Sequence, residues 1–220
     1  MQRSALILWG GWPGHFPQQG AEVVAALLAK DGFVTTVTPD YTALTEAARF
    51  DLIVQVITND QIDPALVQLL TDAVRSATGW AGYHGGLAAS FHAAVKFHYL
   101  TGVHWVARPG DRTARYRVNV TQPDDPIMQG VGDFDYQSEQ CYVLYDPPVE
   151  PLATTTFTGD HDPVTTGAVM PVVFKRRFGK GRIFYTALGP TPEELSHPQA
   201  REILRRGLSW AARGPEEIRP

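Results

Sequence analysis

The first 90 residues carry strand-length apolar runs that lack alternating polarity, and amphipathic helical stretches lie between them. Ser4 to Trp9 and Asp51 to Ile57 are continuous apolar segments, Phe33 to Thr38 is rich in β-branched residues, and Gly79 to His84 is a shorter run. Between them, Gln18 to Asp31 places Val23, Val24, Leu27 and Leu28 at helical spacing, with Gly32 as a left-handed stop. Asp63-Pro64 reads as an N-cap with proline in the first turn, followed by an apolar stripe through Leu66, Val67, Leu70, Ala73, Val74 and Ala77. A strand that is apolar on both faces must be covered on both. The pattern therefore predicts an α/β fold with a doubly wound, mostly parallel sheet and helices on both faces. In such sheets ligands bind at the carboxyl ends of the strands.

The second half changes character. Arg115 to Thr121, Glu139 to Leu144, Pro151 to Phe157 and Val169 to Phe178 read as strands, and the last pairs with Arg182 to Leu188 through Gly179-Lys180-Gly181. A final helix is predicted from Pro198 to Arg213, with Ile203, Leu204, Leu208 and Ala211 inward and Gly214 as its stop. No linker-like stretch divides the chain, so residues 1–214 are expected to form one domain with extra β-hairpin elements, and residues 215–220 a frayed tail.

Composition excludes several partners. The formal charge is −4, which offers no broad basic surface to a phosphate backbone, so nucleic acid is not an expected partner. The apolar run at the N-terminus is too short for a signal peptide, and no segment approaches a membrane span. The single cysteine, Cys141, cannot form an intramolecular disulfide. A cytoplasmic protein without a membrane partner is the expectation, and the sequence is compatible with a homo-oligomer.

The sharpest local feature is Gly82-Tyr83-His84-Gly85-Gly86, between a strand and a helix. The spacing matches a nucleophile elbow, in which small neighbours permit a strained turn that lifts one side chain above the sheet edge. Here that side chain is His84, an imidazole able to act as acid, base or metal ligand. Gly85 and Gly86 are expected to present backbone N–H groups to an anion. Trp12 and Tyr83 flank the turn and offer aromatic faces to a ligand. His15 lies in the first loop, and Glu139 at an apparent strand start, where it could orient His84. Arg108 could bind an anion through its planar fork.

As an ordered set, these motifs resemble the trehalose-utilisation ThuA-like family. The matching residues are Gly10-Gly11-Trp12 with Gly14-His15, the turn at 82–86, and Gly102-Val103-His104-Trp105-Val106-Ala107-Arg108-Pro109-Gly110. Asp125-Pro126-Ile127-Met128-Gln129-Gly130, Ser138-Glu139-Gln140 with Tyr142, and Gly179-Lys180-Gly181-Arg182-Ile183-Phe184-Tyr185 extend the likeness over about residues 4–212. The resemblance implies a flavodoxin-like sheet similar to class I glutamine amidotransferases. The amidotransferase nucleophilic cysteine corresponds to His84, which argues against cysteine-dependent glutamine hydrolysis. It further implies a protein of sugar utilisation, a hydrolase or lyase acting on trehalose-type disaccharides or their 3-keto derivatives. The alternative is a carbohydrate-binding or interaction module without turnover.

The resemblance assigns His84, Glu139 and His15 to catalysis, and Trp12, Tyr83, Gly85, Gly86, His104 and Arg108 to substrate binding. A divalent metal held by His15, His84 and Glu139 and a metal-free site both stay open. Family members similar to this chain often carry histidine where it has Arg108, Leu144 and Pro190. His92 and His98 are expected on different faces of the helix after the elbow, in structural roles. Asp160-His161-Asp162 reads as a turn, and Glu193, Glu194 and His197 as residues preceding or capping the last helix.

Overall fold

A computed structural model describes residues 2–214, so the expected tail at 215–220 lies outside the described residues. The chain opens with β1 (Arg3–Gly11), α1 (Pro17–Lys30), β2 (Phe33–Thr38), β3 (Leu52–Thr58), α2 (Pro64–Arg75) and β4 (Gly79–Tyr83). A turn of helix, α3 (Gly85–Ala88), follows the elbow and leads through α4 (Val95–Thr101) into β5 (Val103–Ala107). Then come β6 (Arg115–Val120), β7 (Phe134–Gln137), β8 (Tyr142–Tyr145), β9 (Glu150–Thr156), β10 (Val169–Phe178), β11 (Gly181–Thr186) and α5 (Pro198–Ala211).

One nine-stranded sheet runs in the order β2-β1-β3-β4-β11-β10-β9-β6-β7. The first five strands pair in parallel, in the flavodoxin-like order, with β11 as the fifth. From β10 onward the pairing is antiparallel, and β10 and β11 form the hairpin predicted at Gly179-Lys180. Both faces of the central strands are covered: Leu6, Ile7, Leu8, Ile53, Val54 and Trp80 are fully buried or nearly so. Each such side chain contributes about 1.5–3 kcal/mol on leaving water. Asp63 caps α2 as its sequence predicts, accepting a hydrogen bond from the Ala65 N–H at 2.8 Å.

Helices α1 and α5 pack together against one face of the sheet; α2 and α4 lie on the other, with a 3₁₀ stretch at Tyr41–Arg49 beside α2. Asp31, just past α1, binds Arg205 and Ser209 of α5 and ties the first pair. Among the described residues, no helix is long and apolar enough to cross a membrane.

Several expectations need correction. β2 is the sheet edge, and Val34 and Val37 are exposed rather than covered. The strand expected at Glu139 starts instead at Tyr142, because Ser138 and Gln140 bind elsewhere by their side chains. That strand joins β5 in a separate two-stranded sheet. Neither β5 nor β7 is apparent in the sequence pattern. His92 lies in the turn before α4, not on the helix, and its ring is 6.5 Å from that of His98. Together with His104, which stacks on His98 at 3.9 Å, the two form one cluster rather than facing apart.

Candidate functional site

Three parallel strands deliver residues to one edge of the sheet. The backbone N–H of Trp12, just past β1, donates to the Thr58 carbonyl at the end of β3 at 2.7 Å. This brings the first loop over the carboxyl end of β3. A 3₁₀ turn at Pro13–His15 then points His15 inward, where its Nδ1 is 3.1 Å from Thr58 Oγ1. The ring is buried and fixed by that contact.

His84 follows β4 at φ 48° and ψ −123°. A non-glycine residue held there costs about 1–3 kcal/mol. The His84 N–H donates to Thr186 at the end of β11 at 2.7 Å, so the neighbouring strand holds the turn in place. Gly85 and Gly86 are required by close approach: a Cβ would come within 2.2 Å of Thr58 Oγ1 at the first and 2.3 Å of the Gln55 carbonyl oxygen at the second. The helix that follows is a single four-residue turn. That is too short for a useful dipole, so any anion at Gly85 and Gly86 would rely on their backbone N–H groups alone.

Glu139 arrives from the antiparallel half of the chain, between β7 and β8. Ser138 Oγ donates to Glu194 Oε1 at 2.9 Å and Gln140 Nε2 donates to Thr155 Oγ1 at 2.8 Å, so both neighbours are anchored. The carboxylate is thereby held in the interior. Its Oε2 lies 3.3 Å from His84 Nε2 and its Oε1 3.8 Å from His15 Nε2. Arg108, in the loop after β5, donates from Nη1 to both oxygens, at 2.8 and 2.7 Å. Its Nε binds Asp111 at 3.0 Å, its guanidinium lies 5.6 Å from the Trp12 ring centre, and Arg112 Nε is 3.8 Å from Oε1.

These contacts set the charges. Burial pushes the His84 pKa down, more than the opposing pull of Glu139 raises it, so the ring is neutral near pH 7. For Glu139, burial favours the neutral acid, but the facing His15 and His84 rings and the hydrogen bonds from Arg108 outweigh it and hold the carboxyl far below the usual range. It is ionised near pH 7. Buried atoms without a protein partner include His15 Nε2 and His84 Nδ1.

The resulting cleft opens to solvent and is lined by Trp12, His15, His84, Trp105, Arg108 and Glu139, together with Thr58, Asn59, Gly85 and Ala89. Of the residues expected from sequence, His15, His84, Glu139, Trp12, Arg108 and Gly85 converge here. Tyr83 and Gly86 do not line it. The Tyr83 hydroxyl turns toward Gly20 of α1, and both residues border a smaller neighbouring cleft that also contains Pro190. His104 lies outside as well, with its Nε2 3.2 Å from His92 Nδ1. Leu144 is exposed on β8. His161 sits in the loop expected to be a turn, and Glu194 supports Ser138. Trp105, Thr58 and Asn59 were not anticipated. The last two stand at the carboxyl end of β3, beside β1 and β4, where strand order alone points to a ligand edge.

The donor types at His15, His84 and Glu139 suit a transition metal, and one candidate ligand atom from each lies within 4.8 Å of the others. As arranged, however, the set does not fit a divalent ion. The Arg108 guanidinium already takes both carboxylate oxygens at contact distance.

The parallel strand order and the histidine on the turn after β4 define a flavodoxin-like α/β protein with an imidazole at the ligand edge of its sheet. Solved structures agree. A ThuA-like protein from Parabacteroides merdae superposes with a TM-score of 0.79 at 17% identity, covering 99% of this chain and 93% of that one. A ThuA-like protein from Bacteroides uniformis gives 0.75 at 17%, covering 95% and 91%. A GMP synthase component from Thermoplasma acidophilum gives 0.60 at 12%, covering 95% and 94%. No curated protein matches. The family profile of ThuA, trehalose utilisation, matches residues 4–211, and the chain belongs to that family.

Proposed function

We propose that this protein processes a trehalose-type disaccharide or its 3-keto derivative by acid–base chemistry at His84. The observation that carries the reading is a neutral imidazole on a strained turn, set against an ionised carboxylate in a cleft with two indole rings. With Nε2–H donated to Glu139, the His84 Nδ1 keeps its lone pair and acts as the base. Glu139 orients the ring and balances the charge it gains; it does not deliver a proton. His15, steadied by Thr58, leaves Nε2 for a substrate hydroxyl. Trp12 and Trp105 pack on the apolar face of the sugar ring.

In a keto-sugar the carbonyl acidifies the neighbouring C–H. The base takes that proton, the electron pair enters the carbonyl as an enolate, and its return forms a C=C bond. The glycosidic C–O bond breaks in that step, and the departing oxygen takes up the proton that His84 removed, which returns the ring to its neutral form. This makes the protein a lyase on 3-keto-disaccharides. The test is conversion of 3-keto-trehalose, followed by release of glucose. His84→Ala should keep the melting temperature within a few degrees and lose turnover by at least about 100-fold.

The Arg108 clamp favours a second reading, a carbohydrate-binding module without turnover, since a carboxylate already neutralised by Arg108 gives less support to the charge that His84 would gain as a base. Saturable sugar binding by the wild-type protein with no conversion of any sugar would decide for that reading.

A further inference from the structure

We propose that Arg108 is the built-in cation of this cleft, taking the Glu139 oxygens that a divalent metal among His15, His84 and Glu139 would need and so keeping such an ion out. The donor set is otherwise that of an open metal site: two imidazoles and a carboxylate, all buried and mutually within ligand reach. Its two carboxylate oxygens, which a metal would need, both accept from Arg108 Nη1.

The guanidinium is placed independently of Glu139. Asp111 holds its Nε at 3.0 Å, and the Trp12 ring lies 5.6 Å away. Arg112 adds a second positive group 3.8 Å from the carboxylate. Two arginines thus face the Glu139 carboxylate, and an incoming divalent ion would have to displace one positive group and lie beside the other. Arginine does not lose its proton in proteins, so the exclusion holds at every working pH. The inference concerns the charge balance of the cleft and does not depend on which sugar it accepts.

The experiment measures zinc bound per chain after loading with Zn²⁺ alone and desalting, on protein made without a metal-affinity tag. Wild type should retain under about a tenth of an equivalent. Arg108→Met, which keeps bulk and removes charge, should retain about one and bind zinc on the order of 100-fold more tightly. Zinc should also raise its melting temperature. Adding His15→Ala to that variant should return retention to the wild-type level. One equivalent in the wild type, lost in Glu139→Gln, would overturn the proposal. So would a cooperatively melting Arg108→Met that takes none. If Arg108→Met does not melt cooperatively, Arg108→Gln is read by the same two outcomes. Neither readout requires turnover, so failure here is distinct from failure of the sugar assignment.

Discussion

The Sγ of Cys141 lies 3.6 Å from Nε2 of His84. The chain's one thiol therefore touches the imidazole that occupies the elbow, although the two are far apart in sequence. It is no nucleophile there. Burial, with a smaller contribution from the Glu139 charge, pushes the thiol from 9.0 up to about 12. Its hydrogen is directed to the Glu139 carbonyl, 3.8 Å away.

Reactivity toward an aromatic disulfide at pH 8 checks this. Only the thiolate attacks, and at that pH the folded protein holds roughly a thousandfold less of it than the unfolded chain. Labelling should be at least that much slower in the native state and should become complete in denaturant. Native labelling at the unfolded rate would mean that Cys141 is ionised or exposed.

The strain at His84 predicts an unusual order of stabilities. Alanine at φ 48° keeps the backbone cost and loses the ring; glycine loses the ring and relieves the cost. His84→Gly should therefore be more stable than His84→Ala by about 1–2 kcal/mol, after allowing for the extra freedom of glycine in the unfolded chain. Urea denaturation of both variants measures it. Equal or reversed stabilities would show that the turn is relaxed.

Glu139→Gln removes one member of a largely buried ion pair and leaves the Arg108 charge without its partner. The cost should be about 2–3 kcal/mol, below the full value for buried pairs because Arg108 is 31% exposed on its side chain. Asp111→Asn, on the exposed side of the same arginine, should cost under about 1 kcal/mol. Chemical denaturation of the two variants separates them, and similar losses would contradict the assigned roles.

Much of the fold is legible because its signals are local. Unbroken apolar runs mark β1 and β3, a proline after Asp63 marks α2, and glycines mark the turn between β10 and β11. β5 and β7 escape notice because Val103-His104-Trp105-Val106 and Phe134-Asp135-Tyr136-Gln137 lack a long apolar run. In the site, His15, His84 and Glu139 are legible from motif resemblance and from their place at strand ends. What no spacing reveals is the two-oxygen contact of Arg108 with Glu139, or Cys141 against His84. Both arise where the antiparallel half folds back over the parallel edge. Tyr83 shows the opposite limit. An aromatic beside the elbow reads as a ligand contact, yet strand alternation sends its ring to the other side, toward α1.

The lowered pKa of His84 sets a direction for pH dependence. Burial is its main cause, so the folded protein binds a proton at this site less readily than the unfolded chain, whose histidine titrates near 6.5. Below 6.5 the unfolded state takes up more protons than the folded one. The stabilising contribution of His84 is thus complete above 6.5 and is lost as pH falls toward the folded value. His92 and His104 are shifted the same way, by burial and then by neighbouring histidines, and His197 by burial, so the wild-type slope combines all four. The difference between wild type and His84→Gln isolates the buried ring, and its stability gap should narrow on acidification from pH 7 to pH 5. With His84 as base, turnover should be flat near neutrality and fall on the acid side, with an apparent pKa below 6.5. Glu139 is the group that pulls this pKa upward, so Glu139→Gln should move the acid limb to still lower pH. A limb that moves up in that variant, or one centred above 7 in the wild type, would show that His84 is charged in the working state and is not the base.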